Sequence, residues 1–191
     1  MILVAGADVS YSKETDRVCA GVVLLSFPEM ETVEAVTVSD KSRFPYVPGM
    51  LTFREGPVLM RAFRELKRRP DVVIFDGQGF AHPRRMGLAS HMGILLGMPS
   101  VGCAKSRLIG DFDEPGNHVG DWSSLRDGSE IIGRVLRTRV GVKPVYVSVG
   151  HLVGLSAATR VVLACLRGVR LPEPTRRAHH LVTIRRERDS S

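Results

Sequence analysis

Apolar and polar positions along this chain follow two periods. From Ile2 to Val9 the residues are apolar until Asp8 interrupts them, which predicts a first strand turned by Ser10, Tyr11 and Ser12. Val18 to Phe27 and Thr32 to Val38 are β-rich and joined by Pro28, Glu29 and Met30, so a hairpin continues from that strand and gives three antiparallel strands. Thr52 to Arg69 carries Val58, Leu59, Ala62, Phe63 and Leu66 as one helical stripe, with Arg61, Arg64, Lys67 and Arg68 on other faces. Val72 to Phe75 has no polar alternation, the pattern of a strand buried on both faces. A second helix is expected from Met86 to Leu96, stopped by Gly97 and Pro99, and a short strand from Ser100 to Cys103. The polar segment Gly110 to Gly128, with the single Trp122, reads as a long surface loop. Ile131 to Val140 and Val145 to Val149 read as strands, and Leu155 to Leu166 as a helix. Thr175 is placed to N-cap a last helix running to about Arg186, with residues 187–191 as a polar tail.

Composition narrows the class. The 191 residues suit one domain with a substantial core, and 43% of them are hydrophobic, spread along the whole length. No apolar run approaches the roughly 20 residues that cross a bilayer, so no membrane partner and a cytoplasmic setting are expected. Cys19, Cys103 and Cys165 are odd in number and sit in apolar segments, which suggests neither a disulfide framework nor a zinc site. The 27 Lys and Arg against 20 Asp and Glu give a net charge of +7, a balance that favours a polyanionic partner.

Candidate chemistry gathers where buried runs stop. Asp8 and Asp76 each end a strand, the place where open α/β sheets collect ligands. After Asp76 come Gly77 and Gly79, then His82, Arg84 and Arg85, so a carboxylate able to hold a metal stands beside cations able to hold phosphate. Lys105 also follows a strand, where it is either a surface lysine or a phosphate contact. Glu55 lies on the inward side of its helix, but Thr52 and Glu55 also match a capping box. Phe44 to Gly49 is a stiff loop that holds Tyr46 between two prolines. His151 is either a phosphate contact or a loop histidine, and His179 borders the apolar stripe of the last helix. Together these elements describe an α/β, ribonuclease H-like mixed sheet flanked by helices. Its convergent carboxylates suit Mg²⁺, a hard ion that takes oxygen ligands.

The blocks AGADVSY, FPYVPGMLTFREGP, DGQGFAHPRRMGLASHMG, GCAKSRLIG, KPVYVSVGH and RLPEPTRRAH, in this order, closely resemble the endonuclease V family, which nicks DNA near deoxyinosine. The resemblance implies catalytic positions at Asp8, Glu55, Asp76, Lys105 and His179: Asp8 and Asp76 as the main metal ligands, Glu55 either completing the metal shell or orienting the water, and His179 either binding a second metal or guiding the nucleophile. It implies a strand-separating wedge at Tyr46, in the loop closed by Gly49, and a lesion-binding loop with Gly79 and His82; Arg84 and Arg85 are expected from their charge to contact phosphates, with His151 a candidate beside them. The implied reaction uses Mg²⁺, with Mn²⁺ as a substitute. It hydrolyses the second phosphodiester 3′ to the lesion and leaves 3′-hydroxyl and 5′-phosphate ends. The expected partner of a monomeric protein is DNA containing deoxyinosine, with inosine in RNA as the rival substrate and a non-catalytic nucleic-acid-binding module as the rival class. Three features depart from the family pattern: the chain starts at the first strand without a preceding helical segment, Cys103 replaces a more usual Val, and Val149 a more usual Pro.

Overall fold

The computed structural model describes residues 1–11, 17–41, 44, 45, 47 and 50–189. Eight strands form one sheet: β1 (Ile2–Tyr11), β2 (Arg17–Phe27), β3 (Thr32–Lys41), β4 (Val72–Phe75), β5 (Ser100–Ala104), β6 (Trp122–Asp127), β7 (Glu130–Leu136) and β8 (Val145–His151). Their order is β3-β2-β1-β4-β5-β8-β7-β6. The hairpin strands are antiparallel, β4 and β5 run parallel to β1, and β8, β7 and β6 return antiparallel on the far side. This is the expected mixed sheet, extended at one edge by a second antiparallel set.

Helices α1 (Leu51–Glu65) and α2 (Leu88–Leu96) cover one face, where Ala5, Ala7, Val22, Leu59, Phe63, Phe75 and Met92 form the core. Helices α3 (Leu155–Ala164) and α4 (Glu173–Asp189) cover the other, over Val4, Val23, Ile74, Cys103, Val147 and Ala178. The strand period of two decides what reaches each face. Val4, Gly6 and Asp8 share the α4 side, as do Ile74 with Asp76 and Cys103 with Lys105 if the period is continued past each strand end.

Gly6 sets how close α4 can come. A Cβ added there would stand 2.0 Å from the Pro174 carbonyl oxygen, and one added at Gly21, the cross-strand partner of Asp8, 2.5 Å from Val182 Cγ1. The helix therefore rests directly on bare backbone.

Several sequence expectations are corrected. The N-cap of α1 is Met50, with no side-chain cap bond, so Thr52 lies inside the first turn and the capping box does not form. Leu66 turns extended and ends that helix before Arg69. The segment expected to be one long loop contains β6, an edge strand whose solvent side is polar and whose buried anchor is Leu125. Ile131 to Val140 shortens to β7. Helix α4 begins at Glu173, with Thr175 buried inside it and its Oγ1 donating to the Pro172 carbonyl at 3.0 Å, and it runs through much of the supposed polar tail. All three cysteines are buried and free. Among the described residues no helix is long and apolar enough to cross a membrane.

Candidate metal centre and lesion cavity

Parallel pairing aligns Ala7 with Phe75, and the Asp76 amide donates to the Ala7 carbonyl at 3.0 Å, so Asp8 and Asp76 emerge side by side. Helix α4, held down at Gly6, brings His179 over the first of them: Nδ1 lies 2.7 Å from Asp8 Oδ2, where a protonated Nδ1 donates to the carboxylate. Asp8 Oδ1 accepts from the Val9 amide at 2.8 Å. One ligand atom from each of Asp8, Asp76 and His179 fits within 4.8 Å of the others. Lys105 Nζ forms an ion pair with Asp76 Oδ2. Asp8 is only 8% exposed, and burial, followed by the neighbouring Asp76 charge, pushes its carboxyl above the ordinary range, against the hydrogen bond with His179. Two carboxylates crowded in this way favour a cation between them.

Glu55 reaches the same end of the sheet from the opposite face. It is 5% exposed, and burial pushes its carboxyl up to about 8, with Asp8 and Asp76 adding to the rise. The Tyr11 hydroxyl donates to Glu55 Oε1 and opposes that shift. Glu55 thus stands beside the Asp-Asp-His group rather than within it. Next to it opens a cavity of about 340 Å³ lined by Leu51, Gly77, Gln78, His82, Leu88 and Leu108 among others. His82 Nδ1 accepts from the Arg84 amide at 3.2 Å, which leaves Nε2 to carry the proton. Burial, helped by Arg84, lowers the His82 pKa and keeps the ring neutral.

Other expected site residues lie elsewhere. Gly79 is not among the residues lining the cavity; its amide donates to Ser148 Oγ at 2.8 Å, packing the loop onto β8. Arg85 pairs with both Asp127 and Glu130 of the β6–β7 turn, so its charge is already balanced and it clips the Gly77–Gly87 loop to that hairpin. Arg84 is exposed. His151 pairs with Ser100, at the opposite end of β5 from Lys105 and roughly 16 Å along the strand at about 3.3 Å per residue. Tyr46 and Gly49 lie outside the described residues.

The family model for Endonuclease V matches residues 1–180. The chain belongs to the Endonuclease V family. Among its relatives, Endonuclease V of Dehalococcoides mccartyi is 50% identical over 177 residues, covering 93% of this chain and 79% of that one. A crystal structure of Endonuclease V from Streptomyces avermitilis is 42% identical with a TM-score of 0.95, covering 99% of this chain and 83% of that one. Endonuclease V from Ciona intestinalis, solved with a 24mer DNA containing an inosine followed by a ribo-adenosine, is 31% identical with a TM-score of 0.87, covering 98% and 87%. Endonuclease V proteins are nucleases, so the chemistry to be explained is phosphodiester hydrolysis.

Within this Endonuclease V site, two residues escaped the sequence reading. Tyr11 looks like a turn aromatic, and only the approach of α1 gives its hydroxyl a carboxylate. Gln78 stands between two glycines with no pattern to single it out, yet it lines the cavity and its Nε2 donates to the Ser106 carbonyl at 2.9 Å, linking the loops that follow β4 and β5.

Proposed function

We propose that the chain is a single-domain, metal-dependent endonuclease that recognises deoxyinosine in DNA and hydrolyses the second phosphodiester 3′ to it, leaving 3′-hydroxyl and 5′-phosphate ends. One observation carries the reading: an Asp-Asp-His group whose ligand atoms lie within 4.8 Å of one another, beside a cavity of about 340 Å³ walled by glycine backbone and leucines. The donor set fits a hard divalent ion: oxygen ligands of Asp8 and Asp76 and a ring nitrogen of His179 converge within 4.8 Å, and burial, then the Asp76 charge, raises the Asp8 carboxyl against the His179 hydrogen bond and the Lys105 charge. Asp8 and Asp76 would hold Mg²⁺ or Mn²⁺, with His179 completing the set. When bound, such an ion supplies Lewis acidity towards a phosphoryl oxygen and a more acidic water.

The protein's own groups do the rest. His179 pins one oxygen of Asp8 and so fixes the carboxylate's orientation. Lys105 carries its ammonium beside the same two strands, where it neutralises charge growing on the phosphate. Glu55, whose carboxyl burial pushes up to about 8, holds or releases a proton at the cavity edge, and Tyr11 fixes which of its oxygens is engaged. A flipped hypoxanthine meets the neutral His82, whose Nε2–H serves as donor to a base acceptor. Guanine differs by a 2-amino group, which a close wall would leave clashing or unpaired.

The test is incubation of the protein with inosine-containing and undamaged duplexes, and with the matching inosine RNA, in Mg²⁺ or in chelator. Divalent-dependent nicking of the inosine DNA strand, abolished in Asp76→Asn while circular dichroism and duplex binding persist, is the expected result. Nicking that survives Asp76→Asn at the wild-type rate refutes the site, and preference for the RNA refutes the substrate.

A further inference from the structure

A second cavity, of about 410 Å³, opens on the other side of Lys105 and is lined by Lys105, Phe112, Arg137, Lys143, Tyr146 and Arg170 among others. Four of its walls are cationic and one, Glu114, is anionic; Glu114 is held by Arg137 Nη2 at 2.6 Å. The surplus is therefore positive. Arg137 spends its remaining donors on the carbonyls of Gly116, Pro115 and Val142, which makes it a strut rather than a free charge. Lys143 is exposed and forms no ion pair among the described residues. Phe112 and Tyr146 meet edge to face with centroids 5.7 Å apart and give the cavity an aromatic wall.

Its position relative to the metal centre follows from the strand order. The cavity beside Glu55 belongs to β1 and β4, the Asp-Asp-His-Lys centre to β1, β4 and β5, and this second cavity to β5, β8 and β7, all at one end of the sheet. Tyr146 of β8 pairs with Ala104 of β5, so it is two inter-strand steps, or about 10 Å, from Asp76. A nucleic-acid strand covers that distance in a few nucleotides. The wall and the centre are also tied together: Arg170 Nη2 donates to the carbonyls of Lys105 at 2.6 Å and of Pro144 at 2.8 Å. An anion seated here is thus held at a fixed offset from Lys105.

We propose that this cavity seats a backbone phosphate of the substrate strand on the 3′ side of the cut, with Lys143 as its mobile cationic contact. The direction rests on the reading of the protein as an inosine endonuclease: the lesion enters the cavity beside Glu55, the cut falls 3′ to it, and the strand continues across β5 towards β8. The aromatic wall suits the sugar or base attached to that phosphate, while Lys143 meets its charge.

The experiment uses inosine-containing duplexes in which each phosphate 3′ to the cut is replaced in turn by a neutral methylphosphonate. With wild-type protein one linkage, within a few nucleotides of the cut, raises KM by roughly three- to tenfold, the scale of one charge-assisted contact. In Lys143→Gln the unmodified substrate shows that same loss, carried by KM, and the modified linkage adds nothing further; Lys143→Arg restores the wild-type pattern. A parallel measurement of undamaged DNA binding in chelator reads the charge without cleavage, and Lys143→Gln lowers the salt slope by about one contact. If no linkage 3′ to the cut is sensitive, or its penalty persists in Lys143→Gln, the proposal is overturned. Failure to cleave inosine DNA with a salt slope that still depends on Lys143 overturns the substrate reading and keeps the anion site. Cleavage with an unchanged slope does the reverse.

Discussion

Replacing Gly6 by alanine tests whether the metal centre depends on the distance between α4 and the sheet. The new methyl would lie 2.0 Å from the Pro174 oxygen and 2.7 Å from the Thr175 nitrogen, both backbone atoms that no rotamer change can move. Relief to ordinary contact needs a retreat of about 1.4 Å by the start of α4. Overpacking of this kind costs about 1–3 kcal/mol, and for a chain of this length each kcal/mol lowers Tm by about 2–4 °C. Gly6→Ala should therefore melt roughly 2 to 12 °C below wild type. Displacing His179 by about an ångström relative to Asp8 should also reduce single-turnover cleavage by about 100-fold. Gly56→Ala is the matched control: a Cβ there meets Thr52 Cγ2 at 3.4 Å and Met92 Sδ at 3.6 Å, and alanine is favoured over glycine in a helix by up to about 1 kcal/mol. The same substitution should then leave stability unchanged or raise it. Thermal denaturation and quenched-flow cleavage of the two variants decide the matter. A Gly6→Ala protein melting within about 2 °C of wild type and cutting within about threefold of it would refute the close-approach argument.

Two further outcomes follow from buried carboxyls. Glu55 titrates at about 8 in the folded protein against 4.5 unfolded, so its burden on stability is absent below pH 4.5, grows as the pH rises, and is complete above 8. Without divalent ions, Glu55→Gln should therefore raise stability at pH 8 by an amount of the order of 1–3 kcal/mol, the gain should vanish by pH 4.5, and in Mg²⁺ the same variant should not cleave; a variant less stable than wild type at pH 8 would contradict this. Glu173 has the opposite sign. Hydrogen bonding to Arg176 and then Arg177 holds its carboxyl down to about 2 against the cost of burial. Its contribution, about 1–2 kcal/mol after allowing for the solvent around both arginines, is present above pH 4.5 and lost as the pH falls through 2. Glu173→Gln should lower the urea midpoint at pH 7, and equal midpoints there would refute the assignment.

The legible parts of the fold were those where one strong signal ruled. Val72 to Phe75 carries the β-branched, unalternating pattern of a buried strand, and the carboxylates that end β1 and β4 mark the Asp-Asp-His group from the sequence alone. Edge strand β6 was hidden because its solvent face needs Ser123, Arg126 and Asp127, which read locally as loop residues. The fate of Arg85 depends on Asp127 and Glu130, 42 and 45 positions away, and local reading saw only a cation beside a glycine turn. His151 was misplaced because antiparallel pairing of β8 with β5 carries its last residue to the wrong end of the sheet, a direction that hydrophobicity does not encode. Met50 rather than Thr52 caps α1, which leaves both Thr52 and Glu55 buried inside the helix.

The reach of α4 across the chain bears on synthesis as well as on geometry. Asp8 and His179 are separated by 171 positions, so at about 5–20 residues per second a ribosome delivers the imidazole roughly ten to thirty seconds after the first carboxylate. Asp76 joins Asp8 partway through that interval, and from then until α4 is made the chain holds both aspartates without the helix that brings His179 to Asp8 and covers Gly6 and Gly21. The Asp-Asp-His group is therefore assembled only when the last helix settles onto the sheet.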